Sequence, residues 1–481
     1  MPIDHTLLDS FSLDGEWGLP GSGRSSWIHG RAEYTPDRGT RLALDGLLEK
    51  LPKRIPDEKP AHHDAVVGES SNGDPITLLD VSANRLVGLN TSQISGFVLR
   101  RSYNARWMIV GELLSSFAEM NCRTVSVRYY NLEEWIGLSG LDRDLTDSGI
   151  TIRFVKPTPI VFSLGPFEIT ADYVVASASD DFRSLDISQR ARIAAQVEQE
   201  QHLAEFLNGP ITSIRYMAQL AVGHRLPILT LNAESSRTVS IVGGKARSRL
   251  VQVFFAQSRP LPKPRQMHPT EMVFTLAALA DNLPAYVSGW HDGFRKFRAA
   301  LDSYFSLDPE LDADVSLEHH FLSVINAFEI YHRIGSASQF EMPESQHQTR
   351  ITAIVESVPV EFRDWLHRRL EYSNEVPLRA RLAELYEEQP ESVLHLLGTK
   401  KRFCARMTNT RNYLTHRSEK LRKASMSGFD LWLGTKQLRI ALQVSLFRRL
   451  GLTGEFISQA MTRTAEYRTL SAHAKRASQD D

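Results

Sequence analysis

The chain has 481 residues, of which 42% are hydrophobic and 23% are charged, and its formal net charge is −1. This length exceeds one ordinary core and predicts two or three domains, while the composition excludes a disordered chain. The neutral average says nothing about nucleic acid, for which only local charge clusters can argue.

The cysteine count and the N-terminal sequence indicate the compartment. The two cysteines, Cys122 and Cys404, are far apart, whereas a secreted protein of this size normally carries more cysteines in pairs. The start of the chain lacks a basic segment followed by an apolar run, so no signal peptide is expected. No stretch approaches the roughly 18 apolar residues that span a bilayer. We therefore expect a cytoplasmic protein with no membrane partner.

Alternation of apolar and polar residues predicts strands throughout the first half. The predicted strands are Pro75–Leu86, Arg123–Tyr130, Thr151–Val155, Phe167–Ala176, Thr238–Val242 and Leu250–Phe255. One segment interrupts them: Ser188–Leu207 is rich in Ala, Gln, Glu and Arg and stops at Asn208–Pro210. This composition and its terminator predict a helix.

A proline-rich run separates this half from a helical one. Gln257–Pro269 holds four prolines in thirteen residues, so it cannot form a regular helix or a central strand. Beyond it, an amphipathic stripe predicts a helix over Leu317–Ile334. The stripe consists of Leu317, Phe321, Val324, Phe328 and Tyr331. A capping-box-like sequence at Ser427–Asp430 opens a long apolar helix that extends to Leu450.

These features predict an α+β protein of two domains. We expect a strand-rich N-terminal domain over residues 1–257 and a proline-rich linker over 258–269. An all-α domain follows over 270–470, and residues 471–481 form a flexible tail.

The segment Lys400–Lys423 is basic in an otherwise neutral protein. It reads KKRFCARMTNTRNYLTHRSEKLRK, with nine Lys or Arg residues against one acidic residue, Glu419. Such a cluster is expected at a phosphate backbone, although a solvated helix face gives the same pattern. The residues expected to bind RNA are Lys400, Lys401, Arg402, Arg406, Arg417, Lys420 and Tyr413. Tyr413 and Phe403 could stack on unpaired bases or belong to the core.

Within this segment Arg411 is followed, after four residues, by His416. Cleavage of RNA through its own 2′-hydroxyl needs a base for that hydroxyl, an acid for the leaving oxygen and positive charge against the phosphate. Histidine can perform either proton transfer near neutral pH, and arginine can hold a phosphate with two donors. The residue types therefore point to RNA cleavage, although this spacing also occurs by chance in helical proteins.

Helical geometry separates the two side chains. Asn412 and His416 are four residues apart and share a face, whereas Arg411 is about 140° from His416 around the helix. One histidine also cannot be base and acid at the same instant. Both points favour a homodimer, or a higher oligomer, in which a twofold axis brings two motifs together.

The motif RNYLTH, with its basic flank, resembles the RNxxxH signature of HEPN ribonucleases. Phe321–Arg333 resembles a helix of the ApeA-type branch that carries an acidic residue followed by a histidine, and Glu371–Leu382 resembles the tract after it. In the first half, Leu13–Pro20, Thr77–Asp80 and Leu132–Trp135 resemble elements of the ApeA-type N-terminal domain. The chain thus resembles ApeA-type anti-phage proteins over most of its length.

The resemblance implies a sensor or regulatory N-terminal domain joined to a HEPN ribonuclease. That enzyme is expected to cleave host RNA, with transfer RNA as its substrate, in abortive infection set off by a phage-derived trigger. Arg411 and His416 match the catalytic pair, and Asn412 matches the polar position beside it. Glu329 matches an acidic position whose role is either catalytic or structural. The implied reaction uses no metal and no cofactor, and the adjacent pair His319–His320 lacks the spacing of a metal site.

A non-catalytic HEPN-fold module that binds RNA or nucleotide and dimerises is the alternative. It shares the fold and the charge with the enzyme and differs in chemistry. A motif packed away from any dimer cleft would favour it.

Overall fold

The computed structural model describes residues 5–49, 61–84, 87–90, 97–180, 183–242, 245–257, 265–308, 311–335, 339–449 and 451–477. The chain divides into two compact units. The first comprises Met1–Ala221, Leu226–Pro269 and Thr275–Pro284, and the second comprises Val222–Arg225, Thr270–Phe274 and Ala285–Asp481. Strands dominate the first unit and helices the second, which confirms the predicted α+β class.

The described strands all belong to the first unit. They are β1 (Phe11–Gly18), β2 (Ile28–Thr35), β3 (Gly39–Leu44), β4 (His62–Ser70), β5 (Pro75–Ala83), β6 (Val87–Asn90), β7 (Phe97–Val110), β8 (Asn121–Tyr129), β9 (Leu141–Thr146), β10 (Gly149–Phe154), β11 (Ile160–Leu164), β12 (Phe167–Asp180), β13 (Ser184–His202), β14 (Ile228–Val242) and β15 (Lys245–Phe255). The short helices among them are α1 (Leu132–Ile136), α2 (Leu203–Phe206) and α3 (Thr212–Val222), and the segment Leu207–Ile211 between α2 and α3 is kinked at Gly209. Single 3-10 turns occur at Arg24–Ser26, Phe117–Glu119, Pro269–Glu271 and Ala277–Asn282.

Thirteen of the described strands form one antiparallel sheet, in the order β11-β12-β13-β8-β14-β15-β7-β3-β2-β1-β4-β5, with β6 beside β7. β9 and β10 form a separate two-stranded sheet. β7 pairs with β3 at one edge and with β5 at the other, so β7, β3, β2, β1, β4 and β5 form a closed ring. Closure supplies partners for the edges of these six strands.

The segment predicted as a helix at Ser188–Leu207 is mostly strand. β13 runs to His202 and pairs with β12 along one edge and β8 along the other, and only residues 203–207 at the end of this range are helical. Ala191, Ile193 and Ala195 are buried at alternate positions, which is the period of a half-buried strand. The composition favoured a helix, but pairing with two neighbouring strands overrides this weak preference.

The second unit is helical throughout. Its helices, together with α4, which begins at the end of the first unit, are α4 (Leu283–Tyr304), α5 (Leu317–Gly335), α6 (Glu344–Glu356), α7 (Val360–Leu370), α8 (Leu378–Glu387), α9 (Glu391–Leu397), α10 (Lys400–His416), α11 (Glu419–Arg422), α12 (Gly428–Arg449), α13 (Gly454–Thr462) and α14 (Ala465–Ala477). Among the described residues, no helix is both long and apolar enough to cross a bilayer.

Helices α5 and α12 form the centre of the second unit. The predicted stripe of α5 is buried from Phe321 to Tyr331, whereas Leu317 at its start is exposed. The Tyr331 hydroxyl donates a hydrogen bond of 3.3 Å to the backbone oxygen of Ser445 in α12. Leu438 and the residues that follow it in α12 as far as Phe447 are buried, whereas Arg448 and Arg449 at its end are exposed. Burial of apolar area against α5 holds the two helices together.

The predicted linker and tail lie only partly within the described residues. Residues 258–264 of the linker and 478–481 of the tail lie outside them. Within the tail predicted from residue 471, the described residues belong to α14, which ends at Ala477. Tyr467 and Leu470 of α14 are buried, and their burial holds the part of the helix that precedes residue 471.

Candidate functional site

Helix α10 carries the Arg411 and His416 motif, and its sequence explains how it forms. The Thr399 hydroxyl caps the helix by accepting a hydrogen bond from the Arg402 backbone N–H. Phe403, Met407 and Leu414 are buried on one side, at spacings of four and seven residues. This apolar stripe packs against neighbouring helices and leaves the basic side chains on the remaining surface.

Arg411 is held by an ion pair with α5. Its Nε donates to Glu329 Oε1 across 3.2 Å, and the two side chains are 31% and 21% exposed. Of the five N–H donors of arginine, this bond uses only the one at Nε. The half-buried guanidinium is therefore fixed in orientation while its outer nitrogen atoms remain able to bind an anion.

His416 is the last residue of α10, and its side chain is exposed. Arg417 closes the helix in the left-handed conformation, with φ of 51°, and its N–H donates to the Tyr413 backbone oxygen across 2.7 Å. Within the described ranges, no hydrogen bond or ion pair joins His416 to Arg411 or Glu329. The structure thus brings Arg411 and Glu329 together and leaves His416 at the surface, about 140° around the helix.

Asn412 shares the outward side of α10 with His416 and is half-buried. The four-residue spacing puts both side chains on one face of the helix, as the sequence predicts. A ligand that reaches His416 would therefore also meet the Asn412 amide.

Helix α5 contributes a second polar contact that the sequence reasoning missed. His332, one turn beyond Glu329, is buried, and its Nε2 lies 2.8 Å from Glu384 Oε2 of α8. Glu329 and His332 therefore connect α5 to α10 and to α8 respectively. The spacing could have drawn attention to His332, because a residue three positions after Glu329 lies on the same face of the helix.

Two of the predicted RNA-binding cations have acidic partners on neighbouring helices. Lys400 Nζ forms an ion pair with Glu387 of α8. Arg406 Nη2 lies 3.0 Å from Asp430 Oδ1 of α12. Counting charges within Lys400–Lys423 missed these partners, because both carboxylates lie outside that segment.

The other predicted cations are exposed. Lys401 and Arg402 lie near the start of α10, and Arg417 and Lys420 lie at and beyond its end. Salt bridges at a protein surface contribute little to stability, so an exposed cation can exchange a partner within the protein for a polyanion. They form a basic surface at both ends of α10.

The aromatic residues of α10 have different surroundings. Phe403 is 2% exposed and contacts the ring of Tyr386, with 6.0 Å between ring centroids, so it belongs to the core. Tyr413 is half-buried, and the Arg417 guanidinium lies 5.7 Å from its ring centroid. Cys404 is buried, and this burial raises the pKa of its thiol. The thiol therefore behaves as a packed side chain.

In the part of the chain that the structure describes, no group of three or more His, Cys, Asp or Glu side chains is arranged to hold a metal ion. The carboxylate beside the motif, Glu329, is already engaged by Arg411.

Comparison with protein families gives a match to each of the two units. Residues 12–290 match the family model described as ApeA N-terminal domain 1, and residues 322–456 match the model described as Apea-like HEPN. No curated protein and no solved structure gives a significant match. The second match covers α10 with its motif and most of α5, including Glu329.

The helical unit is therefore a HEPN domain, preceded by a strand-rich domain of a defined type. The chain belongs to the ApeA family, because the N-terminal model alone covers more than half of its length. This confirms the resemblance inferred from the sequence. The combination of the two domains indicates an anti-phage defence protein.

Proposed function

We propose that the protein is a metal-independent endoribonuclease toxin that cleaves host RNA, with transfer RNA as its substrate, in abortive infection. The observation that carries the proposal is the arrangement of α10. An oriented arginine, Arg411, is followed by an exposed histidine, His416, at the end of a basic helix. HEPN domains commonly act as ribonucleases, and this arrangement supplies the groups that such a reaction needs.

In the proposed reaction the 2′-oxygen of the RNA attacks the adjacent phosphorus, and the bond from phosphorus to the 5′-oxygen breaks. A base takes the proton of the 2′-hydroxyl, and an acid gives a proton to the leaving 5′-oxygen. The products carry a 2′,3′-cyclic phosphate and a 5′-hydroxyl. No redox partner and no second substrate is needed for this balance.

The residues of α10 and α5 take distinct roles. Arg411 binds the phosphate through its outer nitrogen atoms and offsets the negative charge that develops on it. His416 transfers a proton. Glu329 holds the Arg411 guanidinium and acts as a positioning residue. Asn412 contacts the substrate beside His416, and the exposed Lys401, Arg402, Arg417 and Lys420 bind the flanking phosphates.

A twofold homodimer completes the proposed site. One histidine supplies one proton transfer at a time, whereas the reaction has two. His416 is exposed, so it can face a second copy of itself across a symmetric interface. The two chains then supply the base and the acid between them.

A non-catalytic module that binds RNA or nucleotide is the second candidate function. The ion pair of Arg411 with Glu329 is also consistent with it, because a purely structural link between α10 and α5 would have the same geometry. The module would bind RNA through the basic surface and leave it intact.

Incubation of the purified protein with total RNA separates the two functions. The enzyme is expected to release fragments with cyclic phosphate ends, and sequencing of these ends identifies the RNA and the cut position. Arg411→Ala should abolish the fragments. Binding of RNA without any fragment, in the presence of the activating trigger, would establish the non-catalytic module.

A further inference from the structure

The strand-rich unit contains a cavity of about 610 Å³, far from α10 in sequence. It is lined by residues of β4, β5, β7 and β15 and by the segment from α2 to α3. This volume lies within the range of sites that hold a small organic ligand. Nothing in the proposed ribonuclease chemistry uses this cavity.

One wall of the cavity is aromatic. Trp107 of β7 stacks on Phe117, with 5.5 Å between ring centroids and 15° between ring planes. Phe255 of β15 lies against the same indole, at 5.1 Å. Leu207 and Ile211, on either side of the kink between α2 and α3, add apolar lining. A wall of this kind suits a flat ring, because aromatic rings gain free energy by stacking.

Acidic and basic side chains line the cavity beside this wall. His62 Nε2 lies 3.7 Å from Asp80 Oδ1 and 4.0 Å from Asp64 Oδ1. Arg106 Nη1 lies 3.7 Å from Asp80 Oδ2. These distances exceed those of normal hydrogen bonds, and the side chains are about half exposed or more. The carboxylates can therefore accept hydrogen bonds from a ligand.

The backbone at Asp80 is strained. Its φ is +54°, a left-handed conformation that is uncommon for residues other than glycine. The ladder between β4 and β5 pairs Ala65 with Leu79 and His63 with Val81, so Asp80 falls between these pairs. Strained residues inside a strand occur often at ligand sites, where the backbone turns a side chain toward the ligand.

Arg215 of α3 provides a cation at the same cavity. Its Nε is buried and has no hydrogen-bond partner, and among the described residues Arg215 forms no ion pair. Arg215 as a whole is half-buried and lines the cavity. The outer nitrogen atoms of its guanidinium can therefore bind an anionic group of a ligand, which would balance its charge.

We propose that this cavity binds a free mononucleotide. The base stacks on the wall formed by Trp107 and Phe255, and the N–H groups at its edge, whether exocyclic amino or ring N–H, donate hydrogen bonds to Asp80 or Asp64. The phosphate binds Arg215. The cavity volume fits one nucleotide and not a folded RNA. This site is independent of the proposed ribonuclease activity, since no residue of α10 or α5 takes part in it.

Calorimetric titration of the full chain with AMP, GMP, CMP and UMP, each alone, tests the proposal. At least one nucleotide should bind, and ribose 5-phosphate, which lacks the ring, should bind at least about tenfold more weakly. Nucleotide binding should also quench tryptophan fluorescence in the wild type, with less quenching in Trp107→Phe.

Variants locate the site. Arg215→Gln should weaken the nucleotide at least about tenfold while leaving the affinity for the nucleoside unchanged. Asp80→Asn, which tolerates the left-handed backbone, should weaken both. Arg153→Gln replaces an exposed arginine of β10 as the matched control and should bind like the wild type.

Three results would overturn the proposal. They are no binding of any of the four nucleotides, binding only of oligonucleotides, or binding that neither Arg215→Gln nor Asp80→Asn weakens. If Arg215→Gln does not fold, the exposed Asp80→Asn and the fluorescence of Trp107→Phe still decide the question.

Discussion

The Arg411 guanidinium donates its Nε hydrogen to Glu329 Oε1 across 3.2 Å, and so joins α10 to α5 beside the RNYLTH motif. The two residues are 82 positions apart in the chain. Through this bond the carboxylate fixes the plane of the guanidinium. In the proposed reaction the outer nitrogen atoms of Arg411 would then face the substrate in one orientation, which would remove an entropic cost at the transition state.

Loss of the Glu329 carboxylate is therefore expected to slow cleavage without abolishing it. Glu329→Gln should lower kcat by about 10- to 100-fold and change KM little, because a misoriented arginine still carries its charge. Glu329→Asp should recover part of the loss. Steady-state cleavage of one RNA measures kcat and KM for both variants. As a matched control, Glu384→Gln removes the exposed carboxylate beside His332 and should leave kcat within about twofold. Equal losses in the two Gln variants would contradict a positioning role.

The exposed cations of the basic surface should carry the salt dependence of RNA binding. Lys401→Ala, Arg417→Ala and Lys420→Ala should each weaken binding and reduce the slope of log Kd against log salt by about 0.7 to 0.9. Lys400→Ala and Arg406→Ala are the comparison, because Glu387 and Asp430 already partly neutralise these cations. Their slopes should change less. Fluorescence anisotropy in a salt series measures the effect, and equal slopes in all five variants would mean that the ion pairs are irrelevant to binding.

Cleavage should survive EDTA. The proposed groups are an imidazole and a guanidinium, neither of which requires a divalent cation to act. The rate in EDTA should match the rate in added Mg²⁺, after correction for the effect of Mg²⁺ on RNA folding. Activity lost in EDTA and restored by Mg²⁺ would contradict the mechanism.

The buried Asp308 should make the stability of the helical unit sensitive to acid. Burial opposes ionisation of this carboxyl, but a hydrogen bond with His224, the charges of His224 and Arg439 and the Arg225 N–H together hold its pKa well below the usual range. Because the folded pKa lies below the unfolded one, the stabilisation is present above about pH 4 and is lost as the pH falls below that value.

Asp308→Asn should accordingly lower the free energy of unfolding at neutral pH by about 1–3 kcal/mol, and its stability should depend less on pH below about 4. Denaturant titrations at neutral and acidic pH measure both quantities. Asp314→Asn, an exposed carboxylate nearby in sequence, serves as the control and should behave like the wild type. If the free energy of unfolding of Asp308→Asn fell with acid as steeply as that of the wild type, this role of Asp308 would be contradicted.

If the two chains of a dimer share one site, one defective chain is expected to inactivate the whole dimer. If the base and the acid come from different chains, a dimer with one His416→Ala chain has no complete site. Equal amounts of wild-type and variant chains are mixed and exchanged to equilibrium. The mixture should show about a quarter of the activity of the same total amount of wild-type protein, because only a quarter of the dimers are fully wild type. Retention of about half would show that each chain acts alone.

The sequence predicted the elements whose periodicity is strong. The stripe from Leu317 to Tyr331 predicted α5 from its first residue to within one residue of its end, because apolar side chains at spacings of three and four form one face that packs on a core. The prediction from the sequence failed at β13. Small and polar side chains there favoured a helix, and only the two flanking strands decide the conformation. The closed ring could not be predicted, since the pairing of β5 with β7 depends on register between distant segments.

For the candidate site, sequence and structure contribute different parts. The spacing and the family resemblance singled out Arg411, His416 and Glu329, but no local pattern indicates that two of them form an ion pair 82 residues apart. The acidic partners of Lys400 and Arg406 were missed for the same reason. Contacts between helices depend on how the helices pack, which charge counts in one segment do not contain.

The cleavage rate of His416→Ala tests the central claim most directly. The assay uses one RNA that the activated wild-type protein cuts, with both proteins shown to be folded by circular dichroism. His367→Ala is the matched control, because His367 is also an exposed histidine in the last turn of a helix of the same unit. We expect His416→Ala to lose on the order of 10³-fold or more in rate and His367→Ala to cut at the wild-type rate. A His416→Ala protein that cuts as fast as the wild type would contradict the proposed function.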